Sequence, residues 1–479
     1  MCIQGHIFEG LMRYNEDNQL VGGVAQSWQL GTEKSIFKLR QDAKWSDGAP
    51  VTADDFVFAW QLAASPTNEY NFIMAPIKNA AQISRGELAL SKLGVRALDS
   101  LTLEIEFDYP CAYFPALTSF ISYMPIRRDF HQQFKDNEYA SSADKMLYNG
   151  PFTLSHWKKE TSLTMTKNES YWNSKKIWLN EINIPAITTQ NKTIFNMYLS
   201  NDIAIASLGS DNIKSALINR LPIKPFKSGF ISYLEFNQRE ASLCKSKKLR
   251  HAISLVINKQ EIINKVIGSP GVQPTPSIFP SWLQGVEDKL TNEHKMADSE
   301  LNLKKAKAII AQYKQEKKVD SISLDLLLSE DETTKKLAEY LQFELKNKLG
   351  ITLNLDIQTF KLRIAKSLEG KFDIVIGGWG PDYNDPMTFG DLFASWNQNN
   401  RGRFINNEYD ELVEIAKNSL DQKLRMKCFW EMHEILHQEI PVIPIFETGG
   451  VYIQNPKVIG IQRNVLGADP NFTYARIEE

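Results

Sequence analysis

Cysteine is scarce in this chain, with four in 479 residues, at Cys2, Cys111, Cys244 and Cys428. No two stand in a C-x-x-C pair, so neither a structural zinc site nor a thioredoxin-type site is predicted, and buried thiols are expected. Their spacing leaves a disulfide open, so they do not fix the compartment. Long apolar runs are missing too. Nothing approaches the roughly 18 consecutive apolar residues that a spanning helix needs. Basic excess is also absent: 55 Lys and Arg face 57 Asp and Glu, for a formal net charge of −2. A nucleic-acid binder shows a basic face, and none is predicted here. There is no internal repeat and no low-complexity tract. The lysine-rich stretch 313–320 reads as a solvated helix end. Neither a G-x-S-x-G elbow nor a P-loop occurs.

What is present is the composition of a large globular chain, 43% hydrophobic and 23% charged. At 479 residues the chain exceeds what one core organises, and two or three lobes are expected. Ten Trp, sixteen Tyr and twenty-five Phe suit a protein that buries a ligand, and equally a large core. Met1 opens almost directly onto residues 5–11, which already read as structured, so a trimmed or truncated start is expected. Cys2 lacks a preceding apolar stretch and is a poor lipoprotein cysteine as it stands.

The first part of the chain reads as short strands and turns. Residues 35–40 and 100–107 alternate as half-buried strands do. Asp47-Gly48 marks a turn, and Thr52 with Asp55 forms a near capping box before a helix over 54–62. Beyond Asn149-Gly150-Pro151, residues 152–154 and 163–166 read as paired strands. After Ala241 helices and strands alternate: helices over 249–267, 301–315 and 332–349, strands over 322–328, 351–357 and 371–376. That alternation predicts a lobe of crossover units around a parallel sheet.

His433-Glu434-Ile435-Leu436-His437 matches H-E-x-x-H, which in zinc peptidases sets two imidazoles and a glutamate on one helix face. The third ligand and the longer extension are missing, and Pro441 ends the helix soon after. Phe429, Met432, Ile435 and Leu436 form the predicted buried face, with His433 and His437 beside it and partly exposed. A coincidental match is the expectation, with a zinc peptidase as the rival. Gly377-Gly378-Trp379-Gly380 follows an apolar strand at its carboxyl end, where open α/β sheets present ligand sites. Glycines there admit a ligand backbone, Trp379 and Tyr383 supply broad surfaces, and Asp382 can pair with an ammonium. A turn with a solvated Asp is the plain alternative.

The stretch Gly377-Gly378-Trp379-Gly380-Pro381-Asp382-Tyr383-Asn384-Asp385-Pro386 resembles the hallmark loop of the oligopeptide-binding proteins of ABC importers, within the bacterial extracellular solute-binding family 5. Residues 7–11, 24–28 and 45–56 resemble that family's N-terminal blocks. Asn149-Gly150-Pro151-Phe152 and Tyr171-Trp172-Asn173 resemble its middle blocks, 249–254 the helix that opens its last lobe, and 441–445 its C-terminal strand. The blocks run in order along nearly the whole chain, and HEILH falls within the amphipathic helix before the last strand.

The resemblance implies an α/β, periplasmic-binding-protein-like fold (type II, cluster C), with two α/β lobes, a hinge and an extra inserted domain. The inserted domain is expected over 8–144, the first lobe over 145–239 and 450–479, and the second over 240–449. The expected function is an extracytoplasmic receptor, in the periplasm or lipid-anchored outside the membrane. It is expected to engulf an oligopeptide between its lobes and hand it to ABC permease subunits, as a monomer, with no catalysis, cofactor, metal or nucleic acid. Another solute of the same superfamily, such as a metal chelate, haem or a signalling peptide, is the rival within that fold. Carried over residue by residue, Asp382 matches the aspartate that binds the ligand ammonium. Gly378 and Gly380 match positions whose backbone pairs with the peptide. Trp379 and Phe360 match aromatic positions lining side-chain pockets, Tyr70 a tyrosine of the inserted domain, and Glu235 an acidic position on the hinge side. The chain departs from the pattern at Ile376 and Ser367, where relatives carry basic residues, so the anchors for a peptide carboxylate are not where the resemblance puts them. It also lacks the strand and loop expected ahead of Ile7, which predicts a truncated first lobe with an exposed sheet edge.

Overall fold

Alternation of apolar and polar residues builds the first sheet as predicted. The computed structural model describes residues 3–17, 19–135, 138–188, 190–463 and 465–478, with the backbone alone at Ser210 and Asp211. Cys2 lies outside them. Strands β1 (Ala25–Gln29), β2 (Lys34–Leu39), β3 (Val95–Asp99) and β4 (Thr102–Glu106) pair antiparallel in the order β1-β2-β4-β3. Phe37 and Leu103 face each other in register, both buried. Helix α1 (Ala53–Ala63) starts where Asp55 takes the Thr52 N–H at 2.8 Å. The same carboxylate oxygen accepts the Trp45 indole N–H at 3.1 Å, which ties the two ends of the 45–56 block together.

A second sheet joins β5 (Phe152–Lys158), β6 (Ser162–Lys167) and β7 (Glu181–Ile184), all antiparallel. Its core gathers Ile7, Phe152, Met165, Tyr171 and Phe472, so the start, middle and end of the chain share one cluster. The blocks that carry the resemblance converge on buried Glu9. Its backbone exchanges hydrogen bonds with the Asn149 side chain at 3.0 and 2.8 Å, its carboxylate accepts Trp172 Nε1–H at 2.6 Å, and Tyr171 donates to it as well. Gly150 is required there, since a Cβ would fall 2.6 Å from the Ile7 carbonyl carbon.

The chain divides into two compact units. Unit 1 holds residues 1–224, 382–384 and 452–479, and unit 2 holds 225–381 and 385–451. The two sheets above belong to unit 1. Unit 2 carries a sheet of β8 (Ile223–Phe236), β9 (Ile322–Ser329), β10 (Ile351–Gln358), β11 (Ile374–Trp379) and β12 (Val442–Gln454), in the order β12-β8-β11-β9-β10. The strands β9, β10 and β11 run parallel, and β8 runs antiparallel to β11. Helices α2 (Lys247–Ser254), α3 (Leu303–Lys317), α4 (Glu332–Leu349) and α5 (Phe360–Glu369) accompany these strands; α3 and α4 fall where the alternation predicted helices, and α5 was not predicted. Leu324, Leu326, Leu341, Leu353 and Ile374 pack in the core between helices and sheet.

One helix expectation is corrected. Residues 249–267 do not form a single helix: α2 ends at Ser254, and Asn258 caps a new turn by accepting the Glu261 N–H at 3.1 Å. The second segment then winds as a π-helix over Ile262–Ile267 and stops at Gly268, whose φ is 60°. The apolar pattern ran through the break because both segments bury their isoleucines in the same core.

Candidate functional site

Asp382 leaves the carboxyl end of β11 three residues after the strand stops, and it is grouped with unit 1. Its Oδ1 accepts the Tyr70 hydroxyl at 2.9 Å. Tyr70 is held by aromatic neighbours, stacked on Phe120 with centroids 5.8 Å apart and tilted against Phe72 at 4.7 Å. Burial pushes the Asp382 carboxyl up to about 6, and the Tyr70 hydrogen bond opposes that rise. Burial, with Asp382 nearby, pushes the Tyr70 hydroxyl well above its ordinary value. Tyr383 turns away and stacks flat on Tyr113, centroids 4.8 Å apart and 9° from parallel. Unit 1 thus brings together Tyr70, Asp382 and Tyr383.

The far end of the loop is fixed in unit 2. Asp385 accepts both Nη1 and Nη2 of Arg425 at 2.8 and 2.6 Å, and caps the next turn by taking the Met387 N–H at 2.9 Å. Arg425 lies on α6 (Gln422–Glu439) and is fully buried. A bidentate pair of this kind holds its partner's orientation as well as its position.

The glycine pair does two things. Gly378 stands opposite Ser232 on β8, and a Cβ on it would meet Phe230 Cε1 at 2.2 Å. Glycine is needed there to seat the Phe230 ring, a requirement the sequence did not reveal. The second feature is an open strand edge. Strand β8 pairs with β11 from Ile374 through Trp379, whereas β9 pairs with it only at Ile374 and Val375. On the β9 side, the backbone of 376–379 therefore has no strand partner among the described residues, the geometry that accepts an added strand. Trp379 is half-buried, and its indole N–H has no acceptor among the described residues.

Glu235 is 1% exposed and sits in the sheet opposite Val375. Its Oε1 accepts the Gly402 N–H at 2.5 Å; burial raises its carboxyl and the nearby Arg401 charge opposes the rise. Phe360 opens α5 and is 68% exposed, with the Arg363 guanidinium 5.2 Å from its ring centroid. Unit 2 thus holds Glu235, Phe360, Gly378, Trp379 and Gly380. Phe230, Tyr113 and Arg425 were not singled out from the sequence. Only the doubled glycine hinted at Phe230; nothing local marks the other two.

The HEILH string needs a correction. His433 is not partly exposed but buried, at 3%, and its Nε2 lies 3.0 Å from the Ala297 carbonyl oxygen. Burial pulls its imidazole down to about 4, so it is neutral near pH 7. Segment 297–299, distant in sequence, helps cover this helix end. Among the described residues no group of three or more His, Cys, Asp or Glu is placed to hold a metal ion, and no helix is long and apolar enough to cross a membrane.

Known proteins resemble the chain along nearly its whole length. The periplasmic murein peptide-binding protein MppA of Escherichia coli (strain K12) is 29% identical over 478 residues, covering 96% of this chain and 87% of the relative. The dipeptide-binding protein DppE of Bacillus subtilis (strain 168) is 27% identical over 471 residues, covering 96% and 85%. Among solved structures, the substrate-binding domain of an oligopeptide ABC transporter from Bacillus anthracis str. Ames superposes with a TM-score of 0.88 at 33% identity, over 100% of this chain and 94% of that one. Listeria monocytogenes OppA bound to peptide gives 0.86 at 28% identity, over the same shares. Residues 19–401 match the family model described as bacterial extracellular solute-binding proteins, family 5, middle region, and the chain belongs to that family.

Proposed function

We propose that this chain is an extracytoplasmic receptor that binds oligopeptides by their free amino terminus and delivers them to the permease subunits of an ABC importer. It stands in the periplasm or lipid-anchored outside the membrane, and it performs no catalytic step. Within this reading, 8–144 is an inserted domain, 145–239 with 450–479 the first lobe, and 240–449 the second. Asp382, Tyr70, Tyr383, Glu235, Phe360, Trp379 and the backbone at Gly378 and Gly380 serve the ligand.

The observation that carries the reading is the Asp382 carboxylate, half-buried, raised in pKa by that burial and hydrogen-bonded by Tyr70. Such a group gains most from a cationic partner, and a peptide's α-ammonium is one. The open edge of 376–379 adds backbone pairing that gives affinity without reading side chains. The names of the relatives, which include peptide-binding proteins and a structure with peptide bound, support the same ligand class. The test is Asp382→Asn titrated with a synthetic tetrapeptide library bearing free termini. Binding should weaken by about 2 kcal/mol or more, since a desolvated ammonium loses its countercharge. An unchanged affinity would remove Asp382 from the site.

A further inference from the structure

Helix α3 buries Ala306, Ile310 and Tyr313 in the unit 2 core and turns its other side to solvent. Residues 301–318 hold six lysines and one glutamate, a formal charge of +5. The whole chain carries −2, so all other residues together carry −7. Positive charge is concentrated on one short segment of an otherwise acidic molecule. Lys304, Lys307, Ala311 and Lys314 recur at spacings of three, four and three, which sets them in one row along the helix. Lys304, Lys305 and Lys307 are exposed, and none has an ion pair among the described residues. Lys314 gives its ammonium to the Asp320 carbonyl at 2.9 Å. The lysines of the neighbouring α2 differ. Lys247 pairs with Glu439 at 2.8 Å, and Lys248 takes Glu316, the segment's one glutamate, at 2.5 Å. Glu300 and Asp320 stand just outside the two ends, and Asp298 is engaged by Lys259 at 2.5 Å.

Helix stability does not account for this row. The start of a helix favours carboxylates, yet the first turn of α3 has none and carries Lys304 and Lys305. Asn302 begins the helix instead, its side chain accepting the Lys305 N–H at 2.9 Å. Burial, then the charges of Lys305, Lys247 and His437, lower the His251 imidazole, so the positive field reaches α2 as well. Two apolar side chains lead into the row, Leu301 at 53% exposed and Leu303 at 41%. Lysine stems beside exposed leucines make an apolar contact surface with a cationic rim. Its complement is a layer of phosphate head groups over hydrocarbon, which takes both the charge and the leucines. A soluble polyanion would satisfy the lysines and leave the leucines in water.

We propose that the row Lys304, Lys307 and Lys314 of α3, opened by Leu301 and Leu303, docks unit 2 onto the anionic head groups of a phospholipid surface. The inference goes beyond the peptide reading and does not depend on it. The test is sedimentation of the full chain with vesicles of phosphatidylcholine alone, and of phosphatidylcholine with about a third phosphatidylglycerol. The chain should bind the mixed vesicles and not the neutral ones, and high salt should weaken that binding. A lysine at an anionic surface contributes about fivefold, so Lys304→Gln with Lys307→Gln should lower binding about twentyfold. Lys175→Gln with Lys176→Gln makes the same change in net charge at exposed positions of unit 1, and should leave binding close to wild type. Leu301→Ser with Leu303→Ser should weaken vesicle binding while leaving any binding of soluble polyphosphate unchanged. Equal losses in the two lysine pairs would assign the binding to net charge. Vesicle binding untouched by the leucine pair would make the partner a soluble polyanion. Either result overturns the proposal, as does equal binding of the neutral vesicles or no binding of the mixed ones. The wild-type comparison of the two vesicles stands without any variant.

Discussion

At the residue scale, the account turns on the ionisation of Asp382. Its pKa near 6 lies above that of an unfolded aspartate, so the folded chain binds more protons across that interval. The stability this group contributes is therefore present at low pH and is lost as pH rises through about 6. Ligand affinity runs the other way. A peptide ammonium, with a pKa near 8, needs the ionised carboxylate, so a proton competes with the peptide. Affinity should be flat above about pH 7 and fall toward tenfold per pH unit well below the midpoint. Tyr70→Phe removes a hydrogen bond that lowers the Asp382 pKa, so the midpoint should move up. Calorimetric titration of the tetrapeptide library from pH 5 to pH 7.5 checks both. A pH-independent affinity, or a midpoint unmoved in Tyr70→Phe, contradicts the assigned role. Asp382 could be singled out from the sequence because its loop carries a run of residues that resemble the family's hallmark loop. Arg425 could not: nothing local says that a helical arginine is buried, or that it pairs with Asp385 40 positions earlier.

At the element scale, the strand β11 is shaped from both sides. Phe230 of β8 fills the space over Gly378, and the edge beyond Val375 is left open. Gly378→Ala should push its Cβ into the Phe230 ring and destabilise the fold by about 1–3 kcal/mol, the range for overpacking. Gly380→Ala should cost less, since its nearest neighbour is at an ordinary 3.4 Å. Thermal unfolding measures both, and Phe230→Ala should restore stability to Gly378→Ala. If Gly378→Ala melts with wild type, steric need does not explain this glycine. Elements bounded by local signals were read well from sequence. Helix α4 spans Glu332–Leu349 as expected, because Asp331 caps its start and Gly350, at φ 67°, ends it. The 249–267 stretch was misread because its break depends on the side chain of Asn258, a residue equally at home inside a loop or at a cap.

At the scale of the whole molecule, several of the sequence blocks that carried the resemblance serve the scaffold. Glu9, Asn149, Tyr171 and Trp172 come from three distant blocks and satisfy one another in a buried network of unit 1. Trp45 and Asp55 do the same within a fourth. That is why the fold could be read from motifs in order, while the burial of His433 could not: Ala297, which meets it, is 136 residues away in sequence. The central claim is that this scaffold holds peptides by their amino terminus. Native mass spectrometry of wild-type protein, offered the same tetrapeptide library with free or N-acetylated amino termini, tests it most directly. The account predicts retention of free-amino peptides and loss of that retention on acetylation. Equal retention of acetylated peptides, or none of either, would contradict it.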